Sequence, residues 1–519
     1  MRPEVESLAQ KTASGFAWTM VQTVATKGVN FIGTIVLARL LLPSHFGLGA
    51  MALGLVVFAN LIQECGLQQI LVHRHAEFAR WANAGFWMSV VTGLLGAVVM
   101  AAIALPAARY FHAPQLAGLM LVLAIRSPFL SLGTVPTAQL QSELRFKLLA
   151  IIQIVVGAVV MVVGVAMAWG LPSEYGAYAF VVPLLVGAIL RAAILFVVAR
   201  PPIRATFELG LWRYLAGSSF VLLLMSFFLT ITGQGDYLTL GRLQSAYVVG
   251  IYYFAFNLTL QTTQFLTVNL ANVLFPTLSK LQHHPDRQRR AFLRATTLLM
   301  LFGVPICLMQ AALAGPMVRI LFPKWQAAIA VLQVISLAMS LQLVNMPALG
   351  MIQAQGRFKT LLVLSIVCAT LFMGLVLLAA KSGGGDQGAI YWHWLARLMK
   401  AVFGIRANVP VVVALAVTVY CAIMGPTCIY TAIRPVGGRL ADIWPIYWLP
   451  LLLSGLAIGL GMLICHRLPG SRLGDWGKMI GITVIAASVY IPAVRRLAPD
   501  SWHELVQRLR GFRPAKAAA

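Results

Sequence analysis

Long apolar runs separated by short polar breaks set the pattern of the chain. The first run, Ser14 to Leu42, holds 29 positions; a helix of that length spans roughly 43 Å at 1.5 Å per residue, more than the roughly 30 Å of bilayer hydrocarbon. It closes on Ala38-Arg39-Leu40-Leu41-Leu42-Pro43-Ser44-His45-Phe46-Gly47. Hydropathy over windows of about 19 residues predicts fourteen spans, near 14–38, 46–64, 83–105, 116–136, 148–170, 176–199, 211–233, 247–273, 294–315, 327–350, 360–380, 409–432, 444–465 and 476–494.

Composition agrees with that pattern. Only 10% of the 519 residues are charged and the mean hydropathy is +0.86, against about 25% charged in a soluble globule. This excludes a water-soluble domain and predicts an all-α polytopic membrane protein. The first run is too long for a signal-peptide core and lacks a small-residue cleavage site, so it is expected to be retained. Cysteines 65, 307, 368, 421, 428 and 465 occur singly, which predicts core residues rather than disulfides or metal ligands.

The net charge of +25 acquires a meaning once it is laid on the spans. Of the 39 Lys+Arg, 24 fall on the N-terminal side of the membrane, 12 on the opposite side, and Lys27, Arg126 and Arg191 inside spans. The positive-inside rule then puts both termini in the cytoplasm, and the charge argues for topology rather than nucleic acid. The loop from Lys280 to Arg294 and the tail from Arg495 to Lys516 are the densest basic stretches and are expected to face the anionic inner leaflet. Tyr391 to Arg406 makes one outward loop basic, as either an interfacial helix or a short additional span.

The chain also matches itself. A shift of 203 places Ala38-Arg39-Leu40 over Gly241-Arg242-Leu243 and Gly47 over Gly250; a shift of 212 places Gln141 and Arg145-Phe146-Lys147 over Gln353 and Arg357-Phe358-Lys359. Six spans separate the equivalents, so both halves enter the membrane in the same direction, as halves related by a pseudo-two-fold axis along the membrane normal would. The expected architecture is two six-helix lobes, 1–205 and 206–432, facing each other across a cavity, followed by two further helices and a basic tail over 433–519.

Catalytic patterns are missing: there is no P-loop, no His-Glu-x-x-His and no Gly-x-Ser-x-Gly. The chemistry lies in polarity inside helices. At 100° per residue, Thr19, Thr23, Lys27, Asn30 and Thr34 share one narrow face of the first span, and Asn257, Gln261, Gln264 and Asn272 share one face of the eighth. Unsatisfied amides are not tolerated in lipid, so both stripes must line a hydrated cavity or bond to other helices. Lys27 and Arg126, the latter just before a kink expected at Pro128, are candidate anion ligands. Arg191 is near enough to its cytoplasmic end to snorkel. Asp236 is an ion-coupling carboxylate or a partner for Arg242, and Glu64 and Asp236 are the membrane-level candidates to pair with Lys27. The implied cavity is amide-rich and positive, suited to sugars and phosphate.

Several helix-end motifs resemble those of the bacterial Wzx-type oligosaccharide flippases, in the multidrug/oligosaccharidyl-lipid/polysaccharide (MOP) transporter superfamily. They are Ala38-Arg39-Leu40-x-x-Pro43-x-x-Phe46-Gly47, Glu64-x-Gly66-Leu67, Leu144-Arg145-Phe146-Lys147, Gly241 with Gly250-x-Tyr252, Phe275-Pro276 and Leu321-Phe322-Pro323-x-Trp325. The resemblance covers roughly residues 10 to 380. It implies a two-lobed bundle of twelve to fourteen helices that moves undecaprenyl-pyrophosphate-linked oligosaccharide across the bacterial inner membrane, with no cofactor. Arg39, Gly47, Arg145, Lys147, Arg242 and Gly250 are then structural motif positions, while Lys27, Asn30, Arg126, Asn257, Gln261 and Gln264 are the expected substrate contacts on chemical grounds. Polymerase and export proteins of the same pathway are the expected partners, and no nucleic acid. An ion-coupled multidrug exporter of the same fold would need an acidic cavity. A membrane-embedded sugar polymerase or glycosyltransferase would need paired outward carboxylates, whereas Glu174, Asp386 and Asp475 are scattered.

Overall fold

A computed structural model describes residues 2–63, 67–73, 77–204, 206, 210, 212, 220–382, 408–466, 472–497 and 499. Glu64, Cys65, Gly66, Asp386, the segment Tyr391 to Arg406 and the tail beyond residue 499 lie outside the described residues. The helices are α1 (Arg2–Leu40), α2 (Pro43–Gln63), α3 (Leu67–His73), α4 (Phe78–Tyr110), α5 (Gln115–Leu132), α6 (Thr134–Ser142), α7 (Phe146–Gly170), α8 (Tyr178–Ala199), α9 (Phe220–Leu243), α10 (Ala246–Lys280), α11 (Pro285–Leu321), α12 (Ala328–Gln342), α13 (Asn345–Ala354), α14 (Phe358–Ser382), α15 (Val409–Ile433), α16 (Trp444–Cys465) and α17 (Arg472–Leu497).

Each hydropathy window overlaps a helix or a broken helix pair of the described residues. Among the described residues, twelve segments are long and apolar enough to cross a bilayer. Mid-helix polar groups stand on α9, with Thr230, Thr232, Gln234 and Asp236, and on α10, with Asn257, Gln261 and Gln264; the bilayer penalises such groups only on a lipid-facing side.

The basic stretch after Lys280 is helix rather than the expected loop. Pro285 occupies the first turn of α11, where its missing N–H costs nothing, and Asp286 complements the helix dipole there. Arg287, Arg289, Arg290 and Arg294 therefore project from the first turns of α11, and Arg289 donates to the Gly437 carbonyl at 2.7 Å. The fourth span runs through Pro128 to Leu132, and its break comes at Gly133, between α5 and α6. The tenth span is broken in the same way between α12 and α13.

The local backbone after both breaks repeats under the 212-residue shift. Leu144 has φ 57° and Gly356 has φ 69°, both left-handed. Around them Leu144 N–H bonds to Gln141 and Arg145 N–H to Leu140, while Gly356 N–H bonds to Gln353 and Arg357 N–H to Ile352. This is a left-handed helix C-terminus that satisfies the last carbonyls. Glycine adopts it freely; the leucine is held there at a cost of about 1–2 kcal/mol.

The chain divides into two compact units, residues 1–253 with 365–381, and residues 254–364 with 382–519. In the first, α1 packs on α7, α4 on α5, α5 on α8, and α2 on α9. Its core gathers Leu67, Leu71, Trp81, Phe86 and Val135, with a second cluster of Leu140, Ile152 and Leu195. In the second, the Phe322-Pro323-x-Trp325 motif closes α11 with a short 3-10 turn. Trp325 is fully buried and stacks on Phe254 with ring centroids 4.2 Å apart, which gives that motif a packing role.

The C-terminal helices α16 and α17 pack on each other and on α11. Arg319 of α11 grips Asp475 of α17 through two bonds of 2.8 and 2.7 Å. The Asp475 side chain is 4% exposed and that of Arg319 40%, so the loss of such a bidentate pair is partly screened and costs about 1.5–3 kcal/mol. Asp475→Ala is expected to lower the thermal unfolding midpoint, and Asp475→Glu to recover part of it; an unchanged midpoint in Asp475→Ala would show that α17 is held by packing alone.

Candidate functional site

Helix α1 presents three different sides. Val21, Val24, Phe31 and Ile32 are exposed and fall near 200°, 140°, 120° and 220° from Thr19, an apolar side suited to lipid. Gly33 meets Met161 of α7 near 320°. Lys27 and Asn30 lie near 80° and 20°, between those two sides; Lys27 is half-buried and Asn30 exposed. The Asn30 carbonyl accepts a bond from the Thr34 hydroxyl at 2.8 Å. An exposed amide off the lipid side of a spanning helix requires water or a polar ligand beside it.

Arg126 of α5 and Arg191 of α8 stand on helices that pack on each other in the first unit. Both side chains are half-buried, and the Nε of Arg126 is shielded with no hydrogen-bond partner. A charge at the bilayer centre costs at least about 2.5 kcal/mol, and an orphaned buried donor about 1–3 kcal/mol more. The depth of Arg191 along α8 is legible in the sequence; the packing of α8 on α5, the helix of Arg126, is not.

The C-terminal end of α9 and the N-terminal end of α10 form a separate polar corner. Asp236 is buried; its Oδ2 accepts the Tyr252 hydroxyl at 2.8 Å and its Oδ1 the Tyr237 N–H at 2.9 Å. Arg242 turns elsewhere, donating to His112 Nε2 at 2.8 Å and lying over the Tyr110 ring. The Asp236–Arg242 pair considered from sequence is therefore corrected: Tyr252 and Tyr237 satisfy the carboxyl, while the guanidinium reaches the turn after α4. Asp236→Asn keeps one acceptor, enough for Tyr252 but not also for the Tyr237 N–H, and is expected to lose less stability than Asp236→Ala, which is expected to lose about 1–3 kcal/mol. If Asp236 couples an ion to transport, Asp236→Asn also makes the rate in proteoliposomes indifferent to an imposed proton or sodium gradient; a retained gradient response removes it from coupling.

The remaining motif positions are structural at close range. Arg145 pairs with Glu143 at 3.5 Å, and Lys147 sits 5.2 Å over the Trp18 ring. Arg39 is exposed at the end of α1. Gly47 of α2 and Gly250 of α10 face each other: a Cβ on Gly47 would meet the Ala246 carbonyl, and one on Gly250 the Pro43 carbonyl. These contacts interchange under the 203-residue shift, since 47 maps to 250 and 43 to 246.

In the second unit the amide stripe of α10 occupies one side, with Asn257, Gln261 and Gln264 half-buried. Thr259, Thr263 and Thr267, about 200–280° round from Asn257, are buried and bond to carbonyls four residues back. The buried polar face of α10 is thus its threonines, which sequence reading missed because each satisfies itself within the helix. The Asn272 side chain lies outside the described residues.

The family described as "Polysaccharide biosynthesis protein" matches residues 36–330, more than half of the chain. The chain belongs to that family. This family member is 26% identical over 339 residues to the succinoglycan biosynthesis transport protein ExoT of Rhizobium meliloti (strain 1021), covering 65% of this chain and 68% of that one. It is 24% identical over 390 residues to the lipopolysaccharide biosynthesis protein WzxC of Escherichia coli (strain K12), covering 73% and 77%. Among solved structures it matches the lipid II flippase MurJ in an inward closed conformation, with TM-score 0.70, 13% identity, and coverage of 93% of this chain and 99% of that one. It also matches a point mutant of the Vibrio cholerae MATE transporter VcmN, with TM-score 0.51, 12% identity, and coverage of 84% and 98%. The fold is that of the MOP superfamily, and the family member is a multi-pass membrane transport protein of polysaccharide biosynthesis, not an enzyme.

Proposed function

We propose that the chain is a flippase that carries undecaprenyl-pyrophosphate-linked oligosaccharide units across the bacterial inner membrane, from the cytoplasmic to the outer leaflet, by alternating access of two lobes. The observation that carries this is the sign of the charge at membrane depth. Lys27, Arg126 and Arg191 are cationic, and the one carboxyl at comparable depth with a described side chain, Asp236, is taken up by Tyr252 and Tyr237. A cationic interior suits a pyrophosphate and opposes a cationic drug. Asn257, Gln261 and Gln264 supply amides of the kind that bind sugar hydroxyls. The repeated broken helix and its left-handed terminus support a duplicated N-lobe over 1–205 and C-lobe over 206–432, with 433–519 as an addition. The lipid tail stays in the bilayer while sugar and pyrophosphate cross.

Moving about two negative charges outward across 100 mV, inside negative, releases roughly 4.6 kcal/mol when no ion accompanies them, so membrane potential assists the step. The termini lie in the cytoplasm, and the polymerase and export proteins of the pathway receive the product. Purified protein in proteoliposomes is expected to accelerate exposure of a lipid-linked oligosaccharide to an impermeant probe. Elongation of that oligosaccharide into longer polymer would instead establish a polymerase.

A further inference from the structure

We infer that Arg126 and Arg191 form a two-arginine site for a phosphate or pyrophosphate group within the first unit, at mid-membrane depth. The source of that group, the lipid-linked substrate, rests on the flippase function proposed above; the site itself rests on the arginines. Helices α5 and α8 pack on each other. Arg126 lies 11 residues after the start of α5 and Arg191 13 after the start of α8, or roughly 17 and 20 Å along helices that run the same way across the membrane. Their charges therefore meet at one level.

Every carboxylate of that unit with a described side chain is engaged or distant in the fold. Glu77 accepts the Trp81 indole and faces Arg80, Glu143 is bound by Gln139 and Arg145, Asp236 by Tyr252 and Tyr237, and Glu174 is exposed on the turn before α8. Among the described residues, no ion pair is formed by Arg126 or Arg191, and the shielded Nε of Arg126 has no acceptor. Two half-buried guanidiniums at one level on packed helices, with a donor left over, are the complement of a multiply charged anion. The guanidinium fork matches phosphate oxygens in pairs, which a lysine does not. A purely structural pair would need a carboxylate between the two, and none is present among the described residues.

The test uses the full chain, purified in detergent, with inorganic pyrophosphate as the probe. Pyrophosphate is expected to bind and to raise the unfolding temperature of the wild type. Arg126→Gln and Arg191→Gln are each expected to weaken binding about tenfold or more, and the double variant hardly further, because the two act as one site. Without ligand, both single variants are expected to unfold at or above the wild-type temperature, since each relieves repulsion; a lower temperature together with lost binding would mean a structural role and overturn the site. Arg191→Lys keeps the charge without the fork and is expected to bind with intermediate affinity. Wild-type affinity in both glutamine variants also overturns the site.

A second arm compares nanodiscs of phosphatidylcholine with nanodiscs containing phosphatidylglycerol. Arginine-dependent stabilisation by phosphatidylglycerol supports the phosphate site and names bilayer lipid as its occupant. Arginine-dependent pyrophosphate binding by a wild type that flips no lipid-linked oligosaccharide overturns the flippase function and leaves the site standing. A flipping wild type whose glutamine variants flip and bind as well as it does overturns the site and leaves the flippase.

Discussion

Gly47→Ala is expected to stop transport and to destabilise the protein, although it adds a single methyl group. The new Cβ is directed at the Ala246 carbonyl, and the reciprocal Gly250→Ala is directed at the Pro43 carbonyl. Both obstacles are backbone, so no side-chain rotation relieves them; α2 and α10 have to separate. Overpacking of this kind costs about 1–3 kcal/mol and occasionally more. Because both methyls open the same crossing, the double variant is expected to lose less than the sum of the two singles. The unfolding midpoints of the three variants check the energetic half of this, and flipping rates in proteoliposomes check the functional half. Wild-type rates in Gly47→Ala would show that the helix crossing opens freely and takes no part in the transport cycle. Gly47→Val is expected to be worse than Gly47→Ala, and Gly54→Ala milder, since a Cβ there meets only side-chain atoms at 3.6 and 3.7 Å.

The same crossing shows what the sequence makes legible. Gly47 and Gly250 are found by a self-match, and each is the residue that a close backbone approach requires. The repeat at Leu144 and Gly356 is found through its neighbours Arg145 and Arg357, although the shared left-handed conformation is invisible in a leucine. The helices themselves are legible because burial in lipid demands long apolar runs. What escapes is anything set by side-chain rotamers across helices. Asp236 and Arg242 are six residues apart on one helix, yet they bond to Tyr252 and His112 on different neighbours. Arg126 and Arg191 are far apart in sequence, and their helices are neighbours only because α5 packs on α8. Charge depth can be counted from a span's ends; charge partners cannot.

Lys27→Ala is expected to abolish flipping of lipid-linked oligosaccharide while leaving a folded protein. Lys27 lies on α1 between the exposed Asn30 and the exposed apolar residues Val24 and Phe31, so neutralising it strips positive charge from the edge of the polar side. An ammonium bonded to a phosphate contributes about 1.5–3 kcal/mol, a factor of roughly 10 to 100 in rate if that bond is made chiefly in the rate-limiting state. Lys27→Arg separates charge from geometry: it retains the cation and is expected to recover part of the rate, whereas Lys27→Gln, polar but neutral, is expected to behave like the alanine. Lys27 has no basic counterpart in the second half, where the 203-residue shift lands on Thr230. A transporter whose two halves differ in charge at matching depth binds its anion asymmetrically, and Thr230→Lys in the Lys27→Ala background is expected to fail to restore flipping. Full activity in Lys27→Ala would remove this residue from the mechanism and leave the anion to Arg126 and Arg191 alone.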